Sequence, residues 1–251
     1  MSKNFGISLR KLMVKLNKSI IDVYRRFFDP YVIEMIENQQ SLFFKKKNEV
    51  ISLEKKNLTI VFWDLSGFSN LFNLIRSQYE VTLFLEQYFG LADQFIHKYN
   101  GMLNKFIGDG ILAIFGLVTT KSDNSLGAID AVNCAIELRN IFGKMKSNWI
   151  KLWHLHFGYD DMRIDLKCGI NSGEVLFGRL GTDNRDEITV VGRVVNLASR
   201  LESRARLNQI LISKETNRRV NSKFNSKPIK VSRKHPLKGF PQVKLYYKVA
   251  N

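Results

Sequence analysis

The chain has 251 residues, 45% of them hydrophobic and 25% charged, which matches one ordinary globular domain with a short extension, or two very small domains. Four prolines and sixteen glycines exclude collagen-like and low-complexity chains, and no apolar run reaches the roughly 18 residues of a membrane span. Thirty-nine Lys and Arg against 23 Asp and Glu leave a net charge of +16. Such a field attracts polyanions without choosing among nucleic acid, anionic lipid and nucleoside triphosphates. Residues 1–20 carry polar or charged side chains every few positions, so no signal-peptide core is visible. Cys134 and Cys168 lack metal-ligand spacing and read as buried thiols of a cytoplasmic protein.

Residues 1–45 read as a separate helical segment, and 46–251 as the main domain. Met13, Leu16, Ile20, Val23 and Phe27 recur in alternating steps of three and four, a heptad-like seam with basic residues around it. The favoured use of that seam is a dimer contact, ahead of packing on its own domain and of a membrane-surface helix. Asp29-Pro30 interrupts the segment, and a helix resumes at Tyr31.

From Leu58 the texture becomes mixed. Leu58–Asp64 is β-branched and aromatic, a buried strand. Gly67 and Phe68 lead into a helix, and Val81–Tyr99 repeats apolar residues at helical spacing before Asn100-Gly101 stops it. Met102–Ile107 and Ile111–Phe115 form a hairpin around Gly108-Asp109-Gly110. A helix over 126–146 is followed by strands at 164–170, 174–177 and 188–191. A helix over 194–204, a strand at 209–213, a short helix and a closing strand near 243–249 complete the chain. This order predicts an α+β fold, ferredoxin-like with additional strands, its helices on one sheet face. A second copy of the chain is the economical cover for the other face.

Two carboxylates stand out by position. Asp64 ends an apolar strand, and Asp109 tips the hairpin that should lie beside it. Buried carboxylates are costly unless paired or bound to a cation. Singly, Asp64 also reads as a helix cap and Asp109 as an ordinary turn residue. Together they are hard oxygen ligands suited to Mg²⁺ or Mn²⁺. Asn196 and Arg200, at i and i+4, share one helix face. An amide beside a guanidinium suits a sugar hydroxyl next to a phosphate, although a solvated helix face would look the same.

Thr59-Ile-Val-Phe-Trp-Asp64-Leu-Ser-Gly-Phe-Ser69 resembles the first metal motif of the class III nucleotidyl cyclases, and Lys105-Phe-Ile-Gly-Asp109-Gly resembles their second. Thr189-Val-Val-Gly-Arg-Val-Val-Asn196-Leu-Ala-Ser-Arg200 resembles the third. Phe28–Glu34 looks like the family's leading helix, and Leu237-Lys238-Gly239-Phe240 like its late lysine loop. The resemblance implies a homodimer with two composite sites, each fed by a nucleoside triphosphate and two divalent cations, Mg²⁺ or Mn²⁺. Asp64, Asp109 and the Leu65 carbonyl would hold the metals. Ser66, Gly67, Phe68 and Lys238 would take the phosphates, Asn196 the ribose, and Arg200 the charge growing on the α-phosphate. The products would be a 3′,5′-cyclic nucleotide and pyrophosphate. His97, His154, His156 and His235 have no part in this scheme.

Phe62, Trp63, Lys105 and Thr189 are the positions expected to border the base. Lys105 and Thr189 match adenine-reading positions, and the glutamate of a guanine reader is absent at 105. Three features pull away from a plain adenylate cyclase: Trp63 in place of a small residue, the absence of an evident sensor domain, and added positive charge at Arg179 and Arg193. Strict strand alternation turns Trp63 away from Asp64, so a core tryptophan is nearly as good a reading. A short cyclase with a crowded base pocket is similar to the pyrimidine cyclases of bacterial anti-phage systems. That resemblance favours cyclic UMP or cyclic CMP slightly over cyclic AMP, made as a messenger for a separate effector. A nucleic-acid-binding module is the distant rival; its aromatics would be exposed, whereas here they fall at core positions. Neither nucleic acid nor a membrane is an expected partner.

Overall fold

The computed structural model describes residues 29–30, 51–75, 77–117, 125–158, 163–182 and 185–250. The helical segment expected over 1–45 lies outside the described residues except for Asp29 and Pro30. Among the described residues, contacts divide the chain into two compact units, a smaller one that holds residues 51–56 and Val175–Val191, and a larger one from Asn57–Glu174 and Gly192 onward.

The strands are β1 (Ile51–Ser66), β2 (Gly101–Ile107), β3 (Gly110–Phe115), β4 (Asp165–Thr182), β5 (Arg185–Val191), β6 (Ile210–Ile212), β7 (Ser226–Lys230) and β8 (Leu245–Val249). The helices are α1 (Phe68–Leu74), α2 (Gln78–Lys98), α3 (Ser125–Phe157), α4 (Arg193–Arg204) and α5 (Lys214–Val220). In the larger unit the strand order is β2-β3-β1-β4-β6-β8-β7. β1 pairs antiparallel with β3 (Trp63 opposite Ile111), and β2 and β3 close a hairpin at Ile107 and Gly110. β4 runs parallel to β6, Cys168 opposite Ile210, with α4 as the crossover. In the smaller unit β5 returns along the far part of β4, Gly178 opposite Thr189.

Side-chain alternation sorts the core into two faces. Val61, Trp63 and Leu65 of β1 and Ile210 and Ile212 of β6 join the cluster that α1, α2 and α3 bury. Leu211, between the latter two, joins Leu201, Ala205, Leu237, Phe240 and Tyr246 in a second cluster. A strand turns successive side chains to opposite faces, so α4 packs on the face away from α1–α3, and the helices lie on both sheet faces where one was expected. α2 shows how local sequence builds the first face. Ser77 caps it by accepting from the Glu80 N–H, and Val81, Phe84, Tyr88, Ala92 and Ile96 form its buried stripe.

Three elements differ from expectation. β4 is one long strand where two short ones were expected, because the polar run Asn171-Ser172 is satisfied inside the fold. Asn171 Nδ2 donates to the Val194 carbonyl at 2.9 Å, and the Ser172 hydroxyl lies 2.9 Å from that of Thr59 and 3.0 Å from that of Thr216. α3 continues past Lys146 to Phe157, since Trp149 and Trp153 pack their rings on Phe84. β7 was not expected from its lysines and Pro228, and its place at the sheet edge tolerates both. Among the described residues no helix is long and apolar enough to cross a membrane.

Candidate active site

The pairing of β1 with β3 sets Asp64 beside the Gly108–Gly110 turn that carries Asp109. Trp63 faces Ile111, so Asp64 falls level with Gly110, and a methyl group on Gly110 would stand 3.7 Å from Asp64 Oδ1. Asp109 accepts from its own N–H and from the Leu65 N–H, which ties the turn to β1 next to Asp64. Burial first, and then the negative charge of Asp64, hold the Asp109 carboxyl above its ordinary value against those two donors. Two half-buried carboxylates that repel each other make a hard-oxygen donor pair. That donor set fits Mg²⁺ or Mn²⁺.

Lys167, which sequence reasoning missed, belongs to this centre. Its Nζ lies 2.8 Å from Asp64 Oδ2 and 2.9 Å from Glu202 Oε1. Burial disfavours the ammonium, but its bonds to Asp64 and Glu202 outweigh that and raise its pKa. Glu202 is itself held high, by burial first, against the lowering pull of Lys167. The missed signal was a lysine between the apolar residues Leu166 and Cys168. A charge at such a position needs a partner.

α1 opens at Gly67, whose φ of 86° is the left-handed conformation that glycine adopts freely. A side chain there would collide with the Arg163 carbonyl. No side chain caps this helix, so Asp64 is not serving as its cap. Ser66 is half-buried and Phe68 buried, its ring edge-on to Phe72 at 5.2 Å.

α4 carries Asn196 and Arg200 and packs closely on β4. A methyl group on Gly169 would run into the Ala198 carbonyl and the Glu202 N–H, so glycine permits the approach. Asn196 is exposed and Arg200 half-buried. The lysine loop is fixed to the same helix at both ends. Arg193 lies over the Phe240 ring at 5.3 Å, and Arg204 Nη2 donates to the carbonyls of His235 (2.6 Å) and Pro236 (3.3 Å). Arg200, Ser203, Arg204, Pro236, Leu237 and Lys238 line an open pocket of about 240 Å³ with three cations and no carboxylate. The structure thus brings Arg200 and Lys238 together.

At the base positions the faces of β1 decide. Trp63 is 1% exposed in the helix-side core, on the face opposite Asp64. The crowding that its bulk implied is therefore packing against α1–α3. Phe62, half-buried, shares the face of Asp64. Lys105 is half-buried opposite Leu112, next to an irregularity in the β2 register. Thr189 is buried on β5 in the smaller unit, and Arg179 on β4 of that unit is half-buried.

Residues 50–248 match the family described as the adenylate and guanylate cyclase catalytic domain. An adenylate cyclase of Dictyostelium discoideum, terminal-differentiation specific, is 32% identical over 196 residues, 77% of this chain but 9% of that protein. A cytidylate cyclase of Escherichia coli is 28% identical over 157 residues, 61% of this chain and 32% of the other. The crystal structure of the adenylyl cyclase CyaB from P. aeruginosa superposes with a TM-score of 0.71 at 29% identity, covering 80% of this chain and 97% of CyaB. The chain therefore spans a minor part of the curated relatives and nearly the whole of the solved CyaB chain. With the fold, the ordered motifs and this match agreeing over most of its length, the chain belongs to the class III nucleotidyl cyclase family.

Proposed function

We propose that the chain converts a nucleoside triphosphate to its 3′,5′-cyclic monophosphate and pyrophosphate at two composite sites of a homodimer. The observation that carries this reading is the juxtaposition of Asp64 and Asp109, joined through the Leu65 N–H. Divalent cations bound there supply Lewis-acid activation of the ribose 3′-hydroxyl and charge neutralisation on the triphosphate. Asp64, Asp109 and the Leu65 carbonyl hold and orient them. The uncapped first turn at Ser66, Gly67 and Phe68, with Lys238, binds phosphate oxygens. Asn196 positions the ribose, and Arg200 stabilises negative charge at the α-phosphate. Asn196 and Arg200 serve the site whose metal residues come from the partner, so a monomer is inactive.

ATP is the first reading of the substrate, with Lys105 and Thr189 reading adenine. The tilt toward a pyrimidine rested in part on Trp63 crowding the base, and a tryptophan buried on the helix side removes that part of the support. CTP is the second reading, favoured by similarity to the E. coli cytidylate cyclase; its product would act as a messenger to a separate effector. Incubation of the purified protein with each of the four ribonucleotides and Mn²⁺, with products resolved by mass, tests both. Cyclic AMP supports the first reading and cyclic CMP the second, whereas absence of any cyclic product counts against catalysis by this chain alone.

A further inference from the structure

Lys167 links the metal carboxylate to the helix that carries the transition-state residues. On β4, Lys167 and Gly169 are two apart and share one face. Because Gly169 lets α4 approach, Glu202 reaches Lys167 from above while Asp64 reaches it from the neighbouring strand β1. One ammonium, 17% exposed, is thus shared by two carboxylates at nearly equal distances, 2.8 Å and 2.9 Å. Asp64 is the more exposed of the two, at 35% against 11% for Glu202. A cation arriving from solvent therefore meets Asp64 first.

We propose that Lys167 is a built-in counter-ion for Asp64 that gives way to a divalent cation, and that Glu202 is the positioning residue that receives the displaced ammonium. The proposal rests on Asp64 being a metal ligand. Two cations on one carboxylate repel, so metal at Asp64 drives Lys167 away. A buried ammonium without a carboxylate is costly, and Glu202, already in contact, removes that cost. Glu202 thereby sets how readily Asp64 accepts metal, although it touches neither metal nor nucleotide.

The charges give opposite signs for two variants. Glu202→Gln removes the receiving charge, ties Lys167 to Asp64 and weakens metal binding. The double variant Lys167→Met with Glu202→Gln removes the competing cation without stranding a buried carboxylate, and tightens it. Each change is expected to be on the order of tenfold, the size of effect one neighbouring charge has on a carboxylate's proton affinity. The test is Mn²⁺ binding to the full chain without nucleotide, followed by electron paramagnetic resonance of free Mn²⁺, with Asp64→Asn as the reference for Asp64-dependent binding. Weaker binding in E202Q and tighter binding in the double variant supports the proposal. Asp64-dependent binding that shifts the same way in both, or in neither, overturns it and leaves the metal reading standing. Binding that is the same in D64N and the unaltered chain overturns both.

Discussion

Arg204 on the last turn of α4 donates to the carbonyl of His235 at 2.6 Å, two residues ahead of the Leu237-Lys238 pair. The helix that presents Arg200 therefore also holds the loop that presents Lys238. Arg204→Ala is expected to raise KM for the triphosphate by about fivefold, the size of one net hydrogen bond of about 1 kcal/mol, with little change in kcat. Lys238→Ala should do the same, and the double variant should be no worse than Lys238→Ala alone. Steady-state kinetics on the four chains checks this, and additive losses would separate Arg204 from the lysine.

Composite sites predict complementation. Asp64→Ala and Arg200→Ala should each be inactive alone, the second with kcat down about 10²–10³-fold. An equal mixture allowed to exchange subunits should recover about a quarter of the original activity, since half the dimers are mixed and each has one intact site. An assay of the mixture against time measures this; recovery at the level of the separate chains would place both halves of a site in one subunit.

Trp63 should matter to stability and not to base choice. Trp63→Ala is expected to cost about 3–5 kcal/mol, as for other large core residues, read by denaturant unfolding. The milder Trp63→Phe should keep the same order of preference among ATP, CTP, UTP and GTP. A changed order would bring the indole back to the base.

The centre should also titrate. Asp109 is held above its ordinary 3.8, by burial first, so the stability linked to its protonated form is present below that value and lost as pH rises through the raised one. Glu202 behaves likewise above 4.5. Lys167, raised above 10.5, contributes stability that persists through neutrality and is lost only as pH climbs past its own raised value. Melting curves in chelator should show Asp109→Asn gaining on the unaltered chain as pH rises out of the carboxylate range. A difference independent of pH there would contradict the buried, repelling pair.

Gly169→Ala tests the seat of α4. The added methyl meets the Ala198 carbonyl and the Glu202 N–H, backbone atoms that yield only if the helix moves. A loss of about 1–3 kcal/mol is expected, together with a fall in kcat, because Asn196 and Arg200 ride on that helix. Unchanged kcat at reduced stability would mean that α4 tolerates the shift.

Periodicity and turn chemistry in the sequence alone determined the strand, helix and hairpin order from Leu58 to Arg204, apart from the two expected strands that are one in β4, and the ordered motifs pointed to the cyclase family. These signals are local: alternation along β1, a 3.6-residue stripe on α2, an Asp-Gly turn, an Asn and an Arg four apart. Tertiary structure alone decided the rest. Only strand pairing puts Asp109 on the Leu65 N–H, and only the packing of α4 at Gly169 brings Glu202 to Lys167. Trp63 and Asp64 are neighbours in sequence, yet the pleat sends one into the helix-side core and the other toward Lys167. A residue's chemistry is written in its side chain, but its partners are set by which face of the sheet it occupies and what the crossover helix lays over it.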